Sequence, residues 1–396
     1  MKRVVIAGGG YGGLRAVERL SGTKELEIVL IDANRYHFMQ TEVYGYIAGT
    51  KDMDEIAIDL GLWCKGFKPR VRFIKDRIIA LEPEKRLLGL ENDVLEYDYL
   101  IIATGARTRF PESIEGLGRY GYGVKQLGRA FGFRHNFESI VKKKLEGDRS
   151  EVNIAVVGAG LSGVEVAAEI GYMLKRYEKM LGSRREDISI TIIDGCETIL
   201  PGLHPYLVES ASKRLKELDI KILTSSFIKR VQSGQILFEN GESLPYTLLI
   251  FTGGIVGNCD FVPESFEKNE SNQLIVDTML NIDGYEEIFA VGDVANILDT
   301  DGKPLPPTAQ IAEKSAEYVA DVIKKRLAGK KSPPFRGGMD GMFIALGGRY
   351  AVAEIFGLRF GGIGAYCMKR LVTLVYFTGI HLRANAGYKI RHLKSV

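Results

Sequence analysis

Two glycine-rich hexapeptides carry the residues best placed to do chemistry. Gly8-Gly9-Gly10-Tyr11-Gly12-Gly13 and Gly158-Ala159-Gly160-Leu161-Ser162-Gly163 share the spacing GxGxxG, and an acid ends the second apolar run of each, Asp32 and Asp194. Gly8 and Gly158 permit a tight turn. Gly10 and Gly160 let backbone approach a pyrophosphate, and Gly13 and Gly163 let a helix pack on a strand. A helix beginning there offers free N–H groups and a partial positive charge to phosphate oxygens. Asp32 and Asp194 are then set to accept hydrogen bonds from an adenosine ribose. A single such spacing is often a plain turn. Here each copy has a strand before it, a helix after it and an acid beyond.

Two loops in one chain point to two dinucleotides: a tightly held flavin, FAD, at the first and an exchanging nicotinamide at the second. Asp194 repels a 2′-phosphate, and Gly195, Cys196, Glu197 and Thr198 supply no arginine to hold one. That favours NADH over NADPH. Arg184 and Arg185 precede the strand and read as a solvated turn. A third segment, EEIFAVGDVAN, sets Gly292-Asp293 at a turn where an acid can bond a flavin ribityl chain. Turns of this composition are also common without any such role.

The loops require elements to hold them. Arg3 to Ala7 (RVVIA) reads as a buried strand, LRAVERL as a helix and EIVLID as a second strand; Asn153 to Val157 (NIAVV), VEVAAEIGYMLKRYEKML and ISITIID repeat the order. The first copy closes on LLGLENDVLEYDYLIIATG at Gly105 and the second on QILFENGESLPYTLLIFTG at Gly253. Asn240-Gly241 marks a tight hairpin inside the second. This repeat predicts an α/β fold with two Rossmann-like dinucleotide-binding domains, the second inserted in the first. The expected boundaries are 1–114 with 270–334 for FAD, 115–269 for NADH, and 335–396 for a C-terminal membrane-associating section.

At 396 residues the chain can bury two or three cores, and its 45% hydrophobic and 26% charged content excludes disorder. A net charge of +3 says little about partners, and nothing points to nucleic acid. Cys64, Cys196, Cys259 and Cys367 form no CxxC pair and no metal-ligand cluster, so they read as scattered buried thiols and no metal is expected. No secretory signal and no apolar run of about 18 residues is present, so no transmembrane helix is expected. After Glu354 there is no acid, while Arg359, Lys369, Arg370, Arg383, Lys389, Arg391 and Lys394 follow.

These features together resemble the flavoproteins with two dinucleotide-binding domains, and specifically the type II NADH:quinone oxidoreductases. Asn34 to Thr50 (NRYHFMQTEVYGYIAGT) resembles that family's segment after the first acid. Pro306 to Ile323 is similar to its quinone-site helix, in which Ala309, Gln310 and Ala312 match and Lys314 stands where a second glutamine is usual. The end of the chain, from GGRYAVAEIF through Ile380, resembles the family's membrane-facing section.

The resemblance implies a reaction in two halves, a hydride from NADH to FAD and two electrons onward to a membrane quinone, without proton pumping. It implies that Glu169, which shares a helix face with Glu165, lies near the nicotinamide–flavin contact, and that Gln310 and Lys314 serve the quinone. It implies that Thr104 and Gly105 close on FAD and Gly253 on NADH. His37 reads as a packed, hydrogen-bonded side chain. The C-terminal section, with Leu371, Val372, Leu374, Val375, Tyr376 and Phe377 between basic residues, is expected to lie on an anionic membrane at its cytoplasmic face, separable from the flavin chemistry. A homodimer is implied by resemblance only. The alternative is a sulfide:quinone oxidoreductase working through cysteines such as Cys259 and Cys367; a disulfide reductase lacks its CxxxxC, and a non-enzymatic redox sensor is the remaining class.

Overall fold

The chain forms two sheets of the same design, parallel throughout except for the antiparallel edge strand Asn281–Ile282 of the first. A computed structural model describes residues 1–67, 70–181 and 187–393. Arg184, Arg185 and Lys394, and the side chains of Lys389 and Arg391, lie outside the described residues. In the first sheet the strands run in the order Asn281–Ile282, Tyr285–Ala290, Tyr99–Ile102, Lys2–Ala7, Leu26–Asp32, Val71–Lys75. The second runs Tyr122–Gly123, Leu248–Phe251, Val152–Val157, Ile188–Ile193, Ile220–Leu223. Val4 to Ala7 and Ile190, Ile192 and Ile193 are fully out of water. Such uninterrupted apolar runs suit strands covered on both faces, which is the environment of a parallel sheet.

The repeat extends to its crossovers. Each sheet receives a three-stranded antiparallel meander, Ile78–Glu82, Leu87–Leu90 and Val94–Glu96 in the first copy and Ile228–Gln232, Gln235–Phe238 and Ser243–Pro245 in the second. The hairpin expected at Asn240-Gly241 joins the last two strands, with Gly241 at φ +88°. The chain leaves the first sheet after Tyr99–Ile102 and rejoins it at the hairpin of Asn281–Ile282 and Tyr285–Ala290, whose second strand pairs parallel to Tyr99–Ile102. Outgoing Ala106–Thr108 and returning Ile255–Gly257 pair antiparallel.

The end of the chain differs from the sequence expectation. A three-stranded antiparallel sheet, Gly341–Ala345, Ala351–Ile355 and Leu358–Gly362, leads into one helix, Ile363–Leu393, longer than the apolar run suggested. No helix among the described residues is long and apolar enough to cross a membrane. The C-terminal helix packs on Leu60–Lys65 so closely that a Cβ on Gly387 would overlap the Leu62 carbonyl oxygen. Lys369 and Tyr376 turn inward, not toward a surface. Lys369 is bonded to Glu165 and Tyr376 to His37. The section is therefore joined to both glycine-loop units. Leu371, Val372, Leu374 and Val375 remain more than half exposed, as do Phe356, Leu358 and Ile363 beside them.

Candidate dinucleotide sites

Both glycine loops adopt one geometry. Gly8 sits at φ +112° and Gly158 at φ +103°, a conformation that glycine enters without strain. A Cβ on Gly13 would overlap the Gly8 carbonyl oxygen, and one on Gly163 would overlap that of Gly158. These glycines let the loop fold back on its own helix. The helices Tyr11–Leu20 and Leu161–Leu181 then begin with Leu14 N donating to Gly10 O at 3.0 Å and Val164 N donating to Gly160 O at 3.0 Å. A Cβ on Gly10 or Gly160 would meet no protein atom within 4 Å. The space ahead of each helix N-terminus is thus free for a phosphate to reach the first N–H groups.

The two acids lock the loops. Asp32 accepts from Gly9 N and Asn34 N, each at 2.7 Å, and Asp194 accepts from Ala159 N at 2.5 Å and Cys196 N at 2.8 Å. The sequence expects ribose hydroxyls at these carboxylates. A carboxylate has about four acceptor positions, so the lock leaves room for them. Burial raises the Asp32 carboxyl above its usual value, and the Gly9 and Asn34 N–H groups oppose the rise. Thr252 Oγ1 donates to the Gly158 carbonyl oxygen at 2.9 Å, bracing the second loop from beside Gly253.

The remaining flavin candidates converge on the first loop's side. Gly292 is at φ +70°, with its N–H on Ser315 Oγ at 3.2 Å. Asp293 pairs with Lys125 at 2.9 Å, and both are mostly buried. Lys125 lies between the edge strand Tyr122–Gly123 of the second sheet and the helix Leu127–Leu145, and no motif marks it in the sequence. Thr104 Oγ1 donates to Asn258 O at 2.6 Å, and Asn258 N donates to Gly105 O at 3.0 Å. The first closing Thr-Gly is thereby tied to the returning chain.

Behind the loops lies a set of buried charges. Glu165 and Glu169 are both shielded. Lys369 Nζ donates to Glu165 Oε1 at 2.9 Å, with side chains 12% and 15% exposed. Burial disfavours the Lys369 ammonium, but Glu165 leads the groups that outweigh it, and its pKa lies above the usual lysine value. Glu169 accepts from Gly348 N at 3.3 Å, and burial pushes its carboxyl up. Glu42 accepts from Lys51 at 2.6 Å and from Thr373 of the C-terminal helix at 3.0 Å. His37, as expected, is packed and hydrogen-bonded. Its Nδ1 meets Gly9 O at 2.9 Å and its Nε2 meets Tyr376 Oη at 3.1 Å, and burial lowers its pKa to about 4.

Gln310 and Lys314 share a face of the helix Ala309–Leu327 and both grip one segment. Gln310 Oε1 accepts from Asp340 N at 2.8 Å, while Lys314 Nζ donates to Gly338 O at 2.7 Å and Asp340 Oδ1 at 2.6 Å. Lys314 is therefore paired, not a solvated lysine. Between them Glu313, unremarked in the sequence, is pushed up to about 7 by burial, with Arg15 opposing. The cysteines are only half as expected: Cys64 and Cys259 are buried, but Cys196 and Cys367 are exposed. Cys259 donates to Asn272 O at 3.0 Å. No cluster of three metal-ligating side chains exists among the described residues.

Known proteins resemble this arrangement over most of their length. A "Type II NADH:quinone oxidoreductase" of Staphylococcus aureus (strain NCTC 8325 / PS 47) is 27% identical over 382 residues, with 94% of each chain covered. A "NADH dehydrogenase-like protein" of Bacillus subtilis (strain 168) is 27% identical over 337 residues, 84% of this chain and 86% of its own. The fold is shared with Plasmodium falciparum NDH2 solved with NADH (TM-score 0.82, 20% identity, 98% and 97% covered). It is also shared with the sulfide:quinone oxidoreductase of Aquifex aeolicus (TM-score 0.80, 19% identity, 97% and 92% covered). The family model for pyridine nucleotide-disulphide oxidoreductases matches residues 2–316, both glycine loops included. The chain belongs to the pyridine nucleotide-disulphide oxidoreductase family.

Proposed function

We propose that this chain oxidises NADH by way of a bound FAD and passes two electrons to a membrane quinone, without pumping protons. The observation that carries the reading is the doubled loop: two helix N-termini open to a phosphate, each with an acid bonded to the backbone of its own loop. When bound, FAD would supply the hydride-accepting and electron-donating chemistry. In this reading residues 1–114 and 270–334 hold FAD through Gly8, Gly10, Gly13, Asp32, Thr104, Gly105, Gly292 and Asp293. Lys125 fixes the orientation of the Asp293 carboxylate. Residues 115–269 hold NADH through Gly158, Gly160, Gly163, Asp194 and Gly253. Glu169 retains a proton more readily than an exposed carboxyl, because burial penalises its charge.

Gln310 and Lys314 are assigned to the quinone end by likeness to relatives named for that acceptor. The exposed apolar residues of the C-terminal helix suit the surface of a membrane in which a quinone dissolves, and Arg370 among them suits anionic headgroups. The cytoplasmic face is the side proposed. The test mixes the purified yellow protein anaerobically with NADH, NADPH or sulfide, then adds a soluble quinone. Rapid bleaching by NADH, slower bleaching by NADPH and reoxidation by quinone are expected. Bleaching by sulfide alone would replace this reading with the sulfide:quinone one.

A further inference from the structure

An aromatic ring stands exposed beside the acid of the second loop. Phe227 is 58% accessible. Scattered apolar side chains on a surface are ordinary, so exposure alone assigns nothing. Its seat is what distinguishes it. A Cβ built on Gly195, the residue after Asp194, would lie 2.8 Å from Phe227 Cε1 and 3.1 Å from Cδ1. The ring therefore lies against the backbone next to the ribose acid, and it does so because Gly195 has no side chain.

The turn that carries the ring is tied to the same loop. Ser226 N donates to Asp194 O at 2.9 Å and Ser225 N donates to Cys196 O at 2.8 Å. Ser225 holds φ +50°, a conformation rare for a serine, in making that turn. On its other side, Phe227 O accepts from Glu239 N of the crossover meander at 2.9 Å. Two backbone bonds to the residues around Asp194, and one to the meander, fix where the ring stands.

We propose that Phe227 is the platform on which the adenine of the nicotinamide dinucleotide stacks. The inference rests on the reading of the second loop as the NADH site and names the residue that holds the adenosine half. A base bonded through its ribose to Asp194 has its π-face within reach of a ring at that position. Such stacking needs no hydrogen-bond partner on the base, only an aromatic surface already in place.

The test separates the two halves of the dinucleotide. ADP-ribose, which carries the adenosine but no nicotinamide, is titrated into the flavin-loaded protein by calorimetry. F227A should bind it about tenfold more weakly, while F227W should bind as the unmodified protein does. Reduced nicotinamide mononucleotide, which lacks the adenosine, should bleach F227A and the unmodified protein at equal rates. Equal ADP-ribose affinity in F227A, or a matching loss with the mononucleotide, overturns the assignment of Phe227 alone. No ADP-ribose binding by the unmodified protein overturns the reading of the second loop and this assignment with it.

Discussion

Lys369 and Glu165 form an ion pair at 2.9 Å between the C-terminal helix and the helix of the second glycine loop, with both side chains largely shielded from water. Lys369 also stands over the Tyr44 ring, 4.8 Å from its centroid. Removing one partner of such a pair leaves the other charge buried and uncompensated. K369M should therefore lose about 3–5 kcal/mol of stability. K369M/E165L should recover most of that loss, because no unpaired charge is left. Urea midpoints of the three proteins decide it, and a double variant no better than K369M would refute the account.

The glycine loops give a contrast within each hexapeptide. Gly10 is at φ −81° and its missing Cβ faces no protein atom, so G10V should fold normally but purify without flavin. G160V should keep its flavin, and bleaching by NADH should fall sharply. G13V should fail for a different reason, since its side chain would collide with Gly8 backbone. Flavin absorbance after purification, with the melting temperature, separates these. Loss of flavin from G160V alone would mean that the two loops are assigned the wrong way round.

Glu313 gives a pH signature. Its folded pKa, about 7, lies above the unfolded value of about 4.5. Between those values the folded protein holds the proton more tightly than the unfolded chain, so stability falls as pH rises across the window. His37 acts oppositely. Its folded value of about 4 lies below the unfolded 6.5, so its contribution is lost as pH falls from 6.5 toward 4. The difference between wild type and E313Q isolates the first effect: E313Q should gain relative stability from pH 5 to pH 8. Parallel melting curves across that range would exclude a buried, protonated Glu313.

The apolar face of the C-terminal helix is testable without cutting the chain. Leu371 and Val375 are 61% and 67% exposed and share one side of the helix. L371E/V375E should lose co-sedimentation with anionic vesicles while retaining flavin and its bleaching by NADH. Unchanged sedimentation would exclude membrane docking through this face. A shift from dimer to monomer in place of lost sedimentation would identify the face as a contact between two copies.

The parts of the sites legible in the sequence are those coded locally. A glycine loop and the strand beside it lie within a few dozen residues, so Gly8 to Gly13, Asp32 and their repeats could be read from spacing. Lys125 could not, because its partner Asp293 is 168 residues away and no periodicity links them. The contacts of Lys369 and Tyr376 are illegible for a related reason. Composition shows that a helix is apolar and basic but not which of its faces meets the protein, and these two side chains point at Glu165 and His37. Phe227 carries no signal of its own, since only the fold brings it against Gly195.

The Lys369–Glu165 pair spans 204 positions of the chain. On a ribosome, where synthesis proceeds at about 5–20 residues per second and earlier domains fold first, the second glycine-loop helix emerges well before its cation. For some 10–40 seconds the Glu165 carboxylate has no Lys369 to answer it, and the groove awaiting the C-terminal helix is uncovered. The helix Ile363–Leu393 therefore closes the ion pair only after both glycine-loop units have been made, and its docking covers that groove.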